Sequence, residues 1–156
     1  MMKKKRVEQV LAKMRECGLT QIIVTEPSSV FYLTGKWIEP MERLMALLIR
    51  SDGQHKFFLN TLFSAPEDFG IEKVRFGDDA DGGAVIAKYI DKKAPLGVDK
   101  FFYAHFLLSL MREKGDGNFV NSSPIIDRIR MVKDAEEIEL MKKSSELNDI
   151  AMGILV

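Results

Sequence analysis

The sequence predicts an α/β domain, a mixed β-sheet flanked by helices. Three observations carry this. Apolar residues recur at three- and four-residue spacing in some segments and crowd into short β-branched runs in others, and the two kinds of segment alternate along the chain. Two apolar runs, Leu44 to Arg50 and His55 to Thr61, are separated only by "SDGQ", whose Asp52-Gly53 pair tolerates the positive φ angles of a tight hairpin. One antiparallel pair therefore interrupts the alternation. At 156 residues the chain has the length of one well-cored domain.

The elements follow in order. Val7, Val10, Leu11, Met14 and Cys17 form the apolar stripe of a first helix, which Gly18 can end in a left-handed conformation. "QIIVT" (21–25) is short and β-branched, so it reads as a buried strand, and Pro27 suits the first turn of a helix through "SSVFYLTG" that Gly35 closes. After the hairpin, "EKVRFG" reads as a strand, "GGAVIAKYIDKK" as a helix, "PLGVD" as a strand, "YAHFLLSLMREKG" as a helix and "NFVNSS" as a short strand. "NSSPIIDRIRMVK" (121–133) reads as a linker. Asp134 can cap a last helix, with Glu137 completing a capping box, and Ile138, Met141, Leu147, Ile150, Ala151 and Ile154 are expected to form one stripe along it. Residues 1–126 are thus expected to form the α/β body, and 127–156 a linker and a helix that begins something further.

Composition excludes several function classes. Lysines and arginines number 23 and acidic residues 23, so total charge offers no basis for a nucleic-acid partner or a charged membrane surface. "MMKKKR" leads into "VEQVLAKMREC", charged every few residues, which is not the apolar core of an export signal, and no run approaches the length that crosses a bilayer. The single cysteine, Cys17, has no mate within the chain and fits a reducing compartment. A cytoplasmic protein is expected.

Candidate chemistry is sparse. His55 and His105, the only histidines, show no metal-binding spacing, and surface or packing roles are expected for both. "GDDADGG" (77–83) lacks carboxylates at the first and twelfth places of a calcium loop, where Gly77 and Lys88 stand, so Asp81 is better read as a helix cap. Gly82-Gly83 without a lysine loop is a weak phosphate signal. The serines of "PSS" and "NSSP" sit in no nucleophile elbow and read as turn and cap residues. In "YLTGKWIEPMERL" (32–44), Tyr32, Trp37, Glu39, Glu42 and Arg43 lie in or beside one loop. Aromatic rings and a guanidinium could hold a ligand carboxylate, or the loop could be an ordinary surface connection whose rings plug the sheet edge.

Three stretches together resemble the amino-terminal domain of the creatinase/prolidase/aminopeptidase P family: "GLTQIIVTEPSSVFYLTG", "GVDKFFYAHFLLSLMRE" and "SSPIIDRIRMVKDAEEIELMKKSSELND". The resemblance covers essentially the whole chain, and "ERLMALLI" is most similar to the bacterial Xaa-Pro dipeptidases (prolidases). It implies a ribonuclease H-like α/β fold, a homodimer, and a parent enzyme hydrolysing Xaa-Pro dipeptides with two divalent ions, manganese or cobalt, bound by a carboxy-terminal catalytic domain. None of that domain's ligand motifs matches a position here. The expectation is a fragment without a metal site, inactive alone, whose partner is the missing catalytic domain. The resemblance also implies a substrate-binding site across the dimer, for which Arg43 is the candidate carboxylate contact, Trp37 a pocket wall and Tyr32, in the matching Tyr-Leu-Thr-Gly motif, a further substrate-binding residue. Two other readings share the fold. One is a non-catalytic peptide- or protein-binding module, as in a histone-chaperone subunit, and the other is the amino-terminal domain of a creatine-type amidinohydrolase.

Overall fold

The computed structural model describes residues 2–64, 70–115 and 117–155. In chain order the elements are α1 (Lys4–Glu16), β1 (Gln21–Val24), α2 (Pro27–Thr34), β2 (Met45–Arg50), β3 (Lys56–Asn60), β4 (Glu72–Phe76), α3 (Gly82–Ala87), β5 (Leu96–Val98), α4 (Ala104–Lys114), β6 (Phe119–Asn121), α5 (Ser123–Met131) and α6 (Ala135–Leu155). The six strands form one mixed sheet in the order β4-β3-β2-β1-β5-β6. β1, β2 and β3 pair antiparallel, while β3–β4, β1–β5 and β5–β6 are parallel. The α/β expectation holds, as does the hairpin, with Met45 opposite Leu59 and Leu48 opposite Lys56.

The central strands read as unbroken apolar runs because both faces are covered. Ile22, Val24, Leu47, Ile49, Phe57 and Leu59 point to a core closed by α1, α2 and α5. Their neighbours Ile23, Ala46, Leu48 and Phe58 point to the other face, closed by Ile86 of α3 and Leu110 of α4. Adjacent residues thus stabilise opposite layers, and each large core side chain contributes about 1.5–3 kcal/mol by burial.

Three expectations change. The stretch at 121–133 is not a linker: Pro124 starts α5, and Ile125 and Ile126 bury against the α1 side of the sheet, with Ile129 packed beside them. The helix expected from Gly82 to Lys93 stops at Ala87 and continues as turns, with the Lys88 and Tyr89 amides donating to the Val85 and Ile86 carbonyls. The last helix starts as expected: the Glu137 amide donates to Asp134 (2.9 Å) and the Asp134 amide to Glu137 (3.0 Å). Its apolar residues, however, do not form one stripe. At about 100° per residue, Leu147, Ile150, Ala151 and Ile154 share a face with Leu140, and Ile138 and Met141 lie on the opposite side. Both sides face solvent, Leu147 being 63% and Ile154 80% exposed.

Candidate functional site

The loop after α2 is set by its two ends. Gly35 stops the helix in the left-handed conformation (φ 70°), donating to the Phe31 carbonyl at 2.7 Å, while the Thr34 hydroxyl donates to Val30 and accepts from the Lys36 amide. Ile38 is buried and anchors the middle. Trp37 is 59% exposed, its ring edge-on to Phe31 at 6.0 Å between centroids. Met41 has φ 55°, a conformation rarely adopted by non-glycine residues, and the Tyr103 hydroxyl holds it by donating to its carbonyl at 3.0 Å.

Arg43 closes this loop and is fully engaged. Its Nε and Nη2 grip the Asp78 carboxylate at 2.9–3.2 Å, and Nη1 meets Glu42 at 2.6 Å. Asn60 adds a donor to Asp78 at 2.6 Å. The hydrogen bond from Arg43 holds the Asp78 carboxyl below its ordinary range, and the same bond raises the Arg43 guanidinium. The guanidinium thus presents its fork to a planar carboxylate of the chain itself. It lines a hollow of about 210 Å³ with Asn60, Asp78 and Phe106.

Tyr32 belongs elsewhere. Its ring lies under the Arg6 guanidinium, 4.0 Å from the centroid, and its carbonyl accepts from Arg6 Nη1 at 3.0 Å. Burial raises its phenol, the Arg6 charge opposing. Arg6 Nη2 also reaches Asp134 at 2.8 Å and Glu137 at 3.2 Å, so one side chain of α1 ties the Tyr-Leu-Thr-Gly motif to the capping box of α6. Tyr32 therefore lines a groove of about 680 Å³ between α1, α5 and the start of α6. The three residues singled out in the sequence are held by different partners, Tyr32 by Arg6, Trp37 by Phe31 and Arg43 by Asp78.

Residues that carry the local geometry were missed. Asp99, at the end of β5, accepts from the Thr25 amide (2.5 Å) and hydroxyl (2.6 Å), the Glu26 amide (2.9 Å) and the Phe101 amide (3.2 Å), fastening the ends of the neighbouring parallel strands β1 and β5. An aspartate at a strand end was the only signal. Arg130 of α5 donates to Glu26 and Ser29, both at 3.0 Å, and Lys100 pairs with Asp127 at 2.6 Å. These contacts lock α5 to the body.

Among the described residues no group of three or more histidine, cysteine or carboxylate side chains could hold a metal ion, so they do not fit a two-metal centre. The His55 Nδ1 accepts from the Arg50 amide at 3.1 Å, and His105 packs between Tyr103 and Phe106. Asp81 caps α3, accepting from the Gly83 and Ala84 amides, and also accepts from Ser109 and Arg112. Gly83 serves close packing of α3 on α4, and Gly82 leaves room for the Leu44 side chain. Among the described residues no helix is long and apolar enough to cross a membrane.

Residues 6–132 match the family model described as the Creatinase/Prolidase N-terminal domain. The chain is 32% identical over 162 residues to "Uncharacterized peptidase SSP1059" of Staphylococcus saprophyticus, covering 96% of this chain and 43% of that protein. Among solved structures, dipeptidase PepE of Mycobacterium ulcerans superposes with TM-score 0.75 at 26% identity, over 87% of this chain and 38% of its own. The prolidase of Thermococcus sibiricus shares the fold, with TM-score 0.86 at 24% identity over 97% of this chain and 43% of its own. The chain spans less than half the length of the curated relatives it matches. With a match that runs over more than half of its length, the chain belongs to the Creatinase/Prolidase N-terminal domain family.

Proposed function

We propose that this domain serves a metal-dependent Xaa-Pro dipeptidase or aminopeptidase, whose catalytic half follows α6 and hydrolyses Xaa-Pro peptide bonds. The family match over residues 6–132, in a chain spanning 43% of a related peptidase, carries the reading. Two divalent ions, manganese or cobalt, would be held by the catalytic half, since the described residues here gather no ligand set. In such an enzyme the body extends past the expected residue 126 to the end of α5 at Met131, and the residues after it lead into the first helix of the catalytic half. The protein acts as a cytoplasmic homodimer, and the chain alone hydrolyses nothing.

In the dimer Arg43 receives the dipeptide carboxylate, which replaces Asp78 in the same bidentate geometry, and the exposed Trp37 walls the pocket. Tyr32 acts through Arg6, fixing how α6 leaves the body. The test is to produce the reading frame on both sides of residue 156, add manganese, and compare an Xaa-Pro dipeptide with dipeptides lacking proline. Preferential cleavage of the Xaa-Pro bond is expected. Equal cleavage of all dipeptides, or a reading frame with no carboxylate-histidine ligand set, overturns the reading.

A further inference from the structure

The groove between α1 and α5 has a composition that neither the fold nor the proposed peptidase role requires. Four consecutive cations at 3–6, with Lys13, Arg128 and Lys133, rim it against only Asp134 and Glu136. The whole chain is formally neutral, so positive charge is concentrated here. Ala12, Ile129 and Val132 also line it, the last 79% exposed. The groove lining is thus both basic and apolar.

Internal contacts use only part of this charge. Arg6 is committed to Tyr32, Asp134 and Glu137, and Lys13 to Glu16. Among the described residues no hydrogen bond or ion pair engages the side chains of Lys4, Lys5 or Arg128. Lys4 and Lys5 also occupy the first turn of α1, where no acidic residue is present and cations oppose the helix dipole. Their placement disfavours the isolated helix and favours an anionic occupant of the groove.

We propose that this groove docks an acidic amphipathic segment of a partner protein, whose carboxylates meet Lys4, Lys5 and Arg128 while its apolar residues cover Ile129 and Val132. Charge complementarity argues for the carboxylates. The exposed apolar surface of Val132 beside Ile129 argues for a protein over a nucleic acid, because a phosphate backbone leaves it uncovered.

The test uses a labelled helical peptide about four turns long, with leucine at three- and four-residue spacing and glutamate elsewhere, titrated into the chain at physiological salt and followed by fluorescence anisotropy. Saturable binding is expected. Lys5→Glu combined with Arg128→Glu should weaken it by about tenfold or more, and should let the chain bind a peptide with lysine in place of glutamate. Lys88→Glu, beside α3 on the other face of the sheet, should leave binding unchanged. Circular dichroism checks folding, and Lys5→Glu places an acidic residue where the α1 dipole favours one. The proposal is overturned if the glutamate-leucine peptide fails to saturate. Equal binding of polyglutamate or single-stranded DNA, or no effect of the double charge reversal, overturns it as well.

Discussion

Gly83→Ala tests whether the α3–α4 contact is a steric limit. A methyl group at Gly83 would sit 2.6 Å from the Phe106 carbonyl oxygen, 2.7 Å from the Leu110 amide nitrogen and 2.7 Å from Ser109 Cβ. Ordinary contact begins at 3.4 Å, so the two 2.7 Å approaches are each 3.4 − 2.7 = 0.7 Å too close. Two of the three atoms are α4 backbone, so no rotamer change relieves the overlap and the helices must separate. Separation stretches the Ser109 hydroxyl bonds to Asp81, now 2.5 and 2.6 Å. Overpacking of this kind costs about 1–3 kcal/mol, while replacing a helical glycine by alanine returns about 0.5–1 kcal/mol, leaving a net loss of up to about 2.5 kcal/mol. Urea unfolding followed by far-ultraviolet circular dichroism measures it. Gly153→Ala is the matched control: nothing lies within 4 Å of that position in α6, and the same substitution should raise helicity there. A Gly83→Ala midpoint at or above that of the unsubstituted chain, with unchanged slope, refutes the steric argument.

Arg6→Ala should remove its bond to the Tyr32 carbonyl and its stacking on the ring, destabilising the body by about 1–2 kcal/mol, and should speed amide exchange at 135–141; unchanged exchange there dismisses Arg6 as the tie to α6. His55, its pKa lowered from 6.5 chiefly by burial with Asp52 opposing, is protonated first in the unfolded chain, so its contribution to stability is intact above pH 6.5 and is lost as pH falls through the lower folded value. His55→Gln should flatten that slope in urea midpoints measured across this window, and an unaltered slope assigns it to other groups. In the parent enzyme, Arg43→Ala should raise KM for an Xaa-Pro dipeptide far more than it lowers kcat, and unchanged KM removes Arg43 from the substrate site.

Legibility followed burial and distance. β1, β2 and β3 were readable because coverage on both faces leaves short continuous apolar runs, and Asp52-Gly53 marked the turn between two of them. α5 was missed because its buried face is only Ile125 and Ile126, with Ile129 beside them, and Pro124, Asp127, Arg128 and Arg130 gave it the look of a solvated linker. α3 was read too long because Tyr89 and Ile90 continue the apolar spacing although the backbone has passed into turns. The candidate site was legible only locally. Gly35 and the loop beyond it were readable, but the partner of Arg43 lies 35 residues away and that of Arg6 lies 128 residues away. Arg6 stood in a basic run whose meaning depends on Asp134, which no spacing rule connects to it.

The strand order also bears on how the chain assembles as it is synthesised. β1 to β4 lie within residues 21–76 and are neighbours in the sheet, so four strands can pair before β5 has been made. β1 then has an open edge along four residues that are all buried in the finished fold. That edge waits for β5, where Ile22 meets Gly97 and Ile23 meets Val98 across 97 − 22 = 75 positions, and closing so long a loop is slow. Pulse-labelled exchange should therefore find residues 21–60 protected before 96–121. A nascent chain halted between residues 76 and 96 would offer a bare apolar strand to any extended peptide, making that interval the one in which chaperone binding and misassembly concentrate.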